Sequence, residues 1–330
     1  MRQIGHSMKA AALAIVLSST PAFAQMDLNG GWQSLTHEDW IERLPGSDLA
    51  DYTGLPLSEA GRAEALSYQQ AELSMLERQC YYYPPQYVVT GPQSIRIWSE
   101  ADPLRGTVVS WNISAAGDRD VVNIWMDGRP RPSEYAPHEF SGFTTGKWEG
   151  DTLTAYTTHL KHGYERRNGV PTSDQATLTW HIFRRDELLT VMVLVNDPIY
   201  LTEPHVITRT WVLDTRSNLP TVVRPCFPNT EVPRLDAFGL VPHNLPDANP
   251  DIDAMTKKYN IPLDVTLGSA ASMYPEYRKK LKDVYTAPDR CTRYCCGWIG
   301  LGEPGSAPGL TCITNGSGKP VVNPPGGRGF

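Results

Sequence analysis

From Ser94 to Leu213 the chain is a succession of short runs rich in Val, Ile, Thr and Trp: "SIRIWSE", "GTVVSWNI", "VVNIWM", "TLTAYTTHL", "ATLTWHIFRR", "LLTVMVLVND" and "HVITRTWVL". Turn residues separate them, and branched and aromatic side chains of this kind suit a pleated, half-buried surface. Ahead of them, "DLNGGWQSL" reads as a further strand, which makes eight. No intervening segment in this region has the composition of a crossover helix, so an antiparallel meander is the economical topology. Eight such strands close a small barrel around one ligand, and a two-sheet sandwich fits the same alternation nearly as well. The expected class is mainly β: an antiparallel barrel with a few peripheral helices and a disulfide-rich, Pro/Gly-rich C-terminal extension.

Helical composition appears in "LSEAGRAEALSYQQAELSMLERQC", with Ser58 placed to cap its start. After Leu213, Pro, Asn and Asp dominate to about residue 250. Two modest helices follow, "DIDAMTKKYN" and "SAASMYPEYRKKLKDVY", then a cysteine-rich tail ending in "GSGKPVVNPPGGRGF", which reads as disordered. These shifts divide the chain into a leader over 1–24, a barrel domain with an inserted helix over 25–215, and an irregular extension over 216–330.

The leader is a secretory signal: Arg2 and Lys9 precede an apolar run that ends in the small-x-small pattern Ala22-Phe23-Ala24. A periplasmic or secreted location follows. The run is short for a membrane span, and removing it with Arg2 and Lys9 takes the net charge from −6 to −8. An acidic exported chain without a basic stripe argues against nucleic acid as a partner. Six cysteines, Cys80, Cys226, Cys291, Cys295, Cys296 and Cys312, suit an oxidising compartment, where up to three disulfides form. A zinc site in "CTRYCC" is the alternative.

"LNGGW" looks like the Gly-x-Trp opening of lipocalins, in which the Trp closes one end of the barrel. "YTGLPLSEAGRAEA", "IWMDGRPRP", "GFTTGKWEGDTLTAYTTHLKHGYERRNGVPTSD" and "DPIYLTEP", in this order, resemble a family of exported bacterial proteins with a lipocalin-like reading. The resemblance runs from Tyr52 to Trp211. It implies fold and export and says little about chemistry. In that family pattern an acidic residue often stands where this chain has His162, which counts against an essential role for His162.

The densest chemistry lies in "TTHLKHGYERRNG", Thr157 to Gly169. His159, His162 and Glu165 have helical spacing for a metal, but the segment enters as a strand, where positions three apart point to opposite faces. No metal and no cofactor is therefore expected. The strand reading sets Thr157, His159 and Lys161 on one face, and Thr177, Thr179 and His181 on one face of the next strand. If these faces meet inside the barrel, they line a cavity with His159, His181 and Lys161 as catalytic groups. The alternative has this face solvated and the Leu/Trp/Ile face as core, since period-2 alternation cannot say which side is inward. His138, in "YAPHEF", is a fourth catalytic candidate. Arg166 and Arg167 form a candidate fork for a carboxylate or phenolate, and Asn168-Gly169 reads as the positive-φ pair of a tight turn. Tyr83, Tyr156 and Tyr200 are the aromatic candidates for ligand contact. "GKWEGDTL" reads as structural, with Trp148 packing on the barrel.

No nucleophile elbow, phosphate loop, dinucleotide fingerprint or EF-hand occurs. Chemistry on this chain would run on His, Tyr, Lys, Arg and carboxylates, which means proton transfer and electrostatic stabilisation. The expected function is binding of a hydrophobic or aromatic small molecule, with or without cofactor-free isomerase, cyclase or lyase turnover. A non-catalytic carrier and a structural envelope protein are the alternatives.

Overall fold

The computed structural model describes residues 26–35, 47–69, 72, 75–81, 83–91, 94–115, 121–215, 235, 237–241, 244–259, 262–277 and 279. The leader, every cysteine except Cys80, and the tail lie outside these residues. Eleven strands occur among the described residues: β1 (Gly30–Ser34), β2 (Ser94–Ala101), β3 (Val108–Ala115), β4 (Val122–Trp125), β5 (Phe143–Glu149), β6 (Thr152–Thr158), β7 (Gly163–Tyr164), β8 (Pro171–Thr172), β9 (Thr177–Arg185), β10 (Leu188–Asn196) and β11 (His205–Asp214). Nine of them close a barrel in the order β1-β11-β10-β9-β6-β5-β4-β3-β2, and β7 and β8 form a separate hairpin.

Two features correct the eight-stranded antiparallel expectation. The ninth strand is β5, "FTTGKWE", and it pairs parallel to β4 through Ile124↔Thr144 and Trp125↔Thr145. Because β4 and β5 run the same way, residues 126–142 must return along the outside of the barrel. This Pro-rich strap is tied down at intervals. Arg131 lies over the Tyr156 ring at 4.2 Å, His159 Nε2 donates to the Ser133 carbonyl (2.8 Å), and Glu139 exchanges backbone bonds with His159 and Lys161 (both 2.9 Å). Gly146 lets the parallel seam close, since a Cβ there would stand 2.6 Å from Ile124 Cγ2.

The core face is the Leu/Trp/Ile one. On β6 the inward residues are Leu153, Ala155 and Thr157; on β9 they are Leu178, Trp180 and Ile182, all at 0–2 % exposure. Trp32, Ile95, Ile97, Trp111, Leu189, Val191, Val193 and Trp211 pack on them as one cluster. Each fully buried side chain of this size contributes ~1.5–3 kcal/mol of transfer free energy. Thr157 can point inward because its hydroxyl has partners there: Trp180 Nε1 donates to it (2.9 Å), and Thr144 Oγ1 lies at 2.7 Å.

The strand directions give the barrel two distinct ends. The β9–β10 hairpin lies at the lower end, where Arg184 sits 5.3 Å from the Trp32 ring centre and donates to the Asp27 carbonyl (2.7 Å). At the upper end lie the 159–176 and 197–204 connections. Helix α1 (Glu59–Ser67) docks there, capped as the sequence suggests by Ser58, whose hydroxyl accepts from Gly61 N (3.0 Å). The same hydroxyl donates to the Ile199 carbonyl (2.7 Å), and a Cβ at Gly61 would collide with the Tyr200 carbonyl, so the helix rests directly on the 197–204 turn. Short helices α2 (Leu76–Gln79) and α3 (Tyr87–Thr90) follow; α4 (Pro250–Tyr259) and α5 (Leu263–Thr266) come after the barrel. Among the described residues, no helix is long and apolar enough to cross a membrane.

Candidate functional site

The two strand faces expected to meet in a cavity lie on opposite sides of the wall: Thr157 of β6 points into the packed core, and the Thr177, Thr179 and His181 face of β9 is the outer one. Register pairs Thr154 with His181 and Thr157 with Leu178, so His181 is on the side opposite to Thr157. His181 Nδ1 stands 3.4 Å from Thr154 Oγ1, beside the exposed Glu149. β6 ends at Thr158, and His159 takes a left-handed φ of 57°, which breaks the alternation on which the shared face depended. Its Nε2 donates to Ser133, and its Nδ1 accepts from Thr158 Oγ1 (2.8 Å), so both ring nitrogens are committed to holding the strap. His138 does the same work from the other side, with Nδ1 donating to the Leu160 carbonyl (2.7 Å) and its ring 5.3 Å from that of His159. Lys161 is exposed, over the Phe140 ring at 5.1 Å. The structure brings His138, His159 and Lys161 together at the strap. His181 stands apart, about 16 Å of strand from His159 at the usual rise.

The arginine fork is not assembled either. Arg167 Nε donates to the Tyr87 hydroxyl (2.5 Å), and Tyr87 in turn stacks on Tyr83 with ring centres 3.9 Å apart. Arg166 acts instead on the neighbouring Glu165. Tyr156 lies on the outer sheet face beneath Arg131. Only Gly169 of the expected turn pair has positive φ; Asn168 instead donates its side-chain amide to the Asp48 and Asp51 carbonyls (3.0 and 2.8 Å).

Titratable groups converge at the upper end, around His162. Tyr81 contributes its hydroxyl from the segment after α2, 2.5 Å from His162 Nδ1 and also against the His162 carbonyl. Glu64, projecting from α1, places Oε1 3.7 Å from His162 Nε2. Tyr164 of β7 and Tyr200 of the 197–204 turn set their rings 5.8 and 6.1 Å from the imidazole. Arg78 of α2 donates to the Tyr164 hydroxyl (3.0 Å) and lies over the Tyr81 ring at 5.5 Å. Phe140 and Tyr68 complete the shell against Tyr81 and Tyr164.

The proton positions follow from this geometry. The Tyr81 hydroxyl has one proton, and the His162 carbonyl can only accept it, so Nδ1–H donates to the phenol oxygen and the Nε2 lone pair is left on the Glu64 side. Burial holds His162 below its usual range, with Arg78 acting in the same sense and Glu64 opposing. At neutral pH the imidazole is therefore neutral, as a general base must be. Burial, with Tyr164 alongside, pushes Tyr81 up to about 12, so it is a hydrogen-bond donor and not a phenolate. Burial also raises Tyr164 and Tyr200.

Two buried carboxylates lock the loops that carry this cluster. Asp197 accepts from Ser173 N and Oγ (both 2.7 Å), Ile199 N (2.9 Å) and Tyr200 N (3.1 Å), tying the two upper connections together. Glu165, at 1 % exposure, lies 2.6 Å from Nδ1 of the buried His205 at the start of β11. Burial alone would raise Glu165; His205 and Arg166 hold it below the usual carboxylate range.

From the sequence, Tyr200 stands as a ligand contact, His162 is weighed as a metal ligand and set aside, Tyr81 belongs to an aromatic cluster read mainly as packing, and Glu64, Arg78 and Tyr164 are not singled out. The run "CYYYPP" and the first half of "HGYERR" were the available signals. Among the described residues, no group of three or more His, Cys, Asp or Glu is arranged to hold a metal ion. Comparison with protein-family models, curated proteins and solved structures finds no match.

Proposed function

We propose that the protein binds a small aromatic or hydrophobic molecule at the upper end of the barrel, against Tyr81, His162, Tyr164 and Tyr200. As an exported lipocalin-like protein it would act on that molecule without a cofactor, by proton transfer. The observation that carries this reading is the phenol–imidazole–carboxylate line Tyr81–His162–Glu64, assembled from three separate chain segments and ringed by further tyrosines. A neutral imidazole with a phenol oxygen against one nitrogen and a carboxylate facing the other suits an isomerase or lyase step. The packed interior supports placing the ligand at the barrel end, not within it.

That packed interior also favours a second reading, a structural envelope protein. N-phenyl-1-naphthylamine, a neutral aromatic dye, separates the two. Its fluorescence should rise and saturate with wild-type protein, weaken at least about tenfold in affinity with Tyr200→Ala or His162→Ala, and be unchanged with His181→Ala. A wild-type protein that leaves the dye dark supports the structural reading.

A further inference from the structure

We propose that the molecule taken by this cluster is an organic cation, an amine or quaternary ammonium group on an apolar or aromatic body. This rests on the reading of the cluster as a ligand site and adds the sign of the ligand's charge. Aromatic faces carry partial negative charge and attract cations. The protein's own cations already use two such faces here: Arg78 lies over Tyr81 at 5.5 Å and Lys161 over Phe140 at 5.1 Å. The Tyr164 and Tyr200 rings instead meet the imidazole edge to face, at interplanar angles of 76° and 72°.

The carboxylates point to the same sign. Glu64 is 38 % exposed in its side chain, and its one ion-pair partner among the described residues, His162 Nε2, is 3.7 Å away, beyond hydrogen-bond reach. It is a half-open negative charge beside a neutral imidazole and two aromatic rings. Asp174 and Asp197 add negative potential at His162 and Tyr200, and Glu72 adds it at Tyr164. Asp197 is fully engaged by its four donors, which leaves Glu64, with the exposed Asp174, to face an incoming group. Against these stand Arg78, committed to Tyr164, and Lys161 on Phe140. Arg166 and Arg167, the residues that would have favoured an anion, are turned to Glu165 and Tyr87. A carboxylate or phenolate ligand would therefore approach like charge, and an ammonium would approach opposite charge.

Isothermal titration of full-length mature protein with benzyltrimethylammonium, benzyl alcohol and benzoate tests the sign. The three share a ring and differ in charge. The ammonium should bind about tenfold tighter than the alcohol, benzoate should be weakest, and the preference for the ammonium should shrink with added salt. In Glu64→Gln the ratio of ammonium to alcohol affinity should fall toward one. Equal affinities for ammonium and alcohol, or tighter benzoate, would overturn the charge assignment while leaving an aromatic ligand site in place. Absence of binding by all three would overturn the site as well.

Discussion

Replacing Glu165 with alanine is expected to lower the unfolding free energy by about 3–5 kcal/mol, because it strands His205 in a buried position without its partner. His205→Ala should cost a similar amount for the mirror-image reason. The paired replacement Glu165→Leu/His205→Phe should be milder than either single change, since the buried carboxylate and its imidazole partner then vanish together. The pH dependence carries a sign. Glu165 lies below its ordinary value of 4.5 in the folded protein, so its contribution is complete above that pH and disappears as acid protonates it through the lower folded value. In His205→Ala the carboxylate keeps its burial and loses the main partner that holds it down, with only Arg166 remaining. Its pKa then moves upward, and the deficit relative to wild type should shrink on acidification. Urea unfolding of the four proteins at neutral and acidic pH measures this. Additive costs in the double variant, or a His205→Ala deficit that grows in acid, would show that the pair is not coupled.

Asp197→Ala is the second large effect, and it joins stability to the site. The carboxylate accepts two bonds from Ser173 and one each from Ile199 N and Tyr200 N, so its removal leaves three backbone N–H groups of the upper loops without that acceptor. Bonds to a charged acceptor contribute about 1.5–3 kcal/mol each and do not add fully, which places the expected loss near ~3–5 kcal/mol. Because Tyr200 is hung on this carboxylate, dye affinity should fall with stability. Asp197→Asn keeps one carbonyl acceptor and should sit between alanine and wild type in both. Denaturant midpoints and dye titrations at a temperature where all three are folded provide the comparison. A destabilised Asp197→Ala with unchanged dye affinity would detach the loop lock from the site.

Most of the barrel was legible because its strands declare themselves locally, through branched and aromatic side chains between turn residues. The missed strand, β5, reads poorly because Gly146 and Lys147 interrupt it, and the glycine is there so that Ile124 can close the parallel seam. Which face of β6 is inward was not legible at all. Alternation is symmetric between faces, and the choice rests on Trp180 and Thr144 supplying partners for the Thr157 hydroxyl. His159 misled for a different reason: a left-handed backbone at one residue uncouples everything after it from the strand's period.

The site was less legible than the fold, since its members sit near one another only through tertiary packing. Glu64 comes from a helix whose cap bonds to Ile199, and Tyr200 belongs to the turn beneath that helix. No spacing rule links residues brought together in this way. The histidines with conspicuous strand positions, His159 and His181, are the ones that the fold places at the strap and on the outer wall. His162, with no regular spacing to any partner, stands between a phenol and a carboxylate.

The central claim is that the working end of the molecule is the His162 cluster and not the Thr/His strand face. Histidine-selective carbon-13 NMR of the protein, titrated with pH and then with N-phenyl-1-naphthylamine, tests it most directly. His162 should titrate below 6.5, the ordinary histidine value, as its burial requires. Its ring signals should move on saturation with the dye, while those of His138, His159 and His181 stay in place. Movement of His159 or His181 with a stationary His162 would contradict the account and return the site to the outer strands.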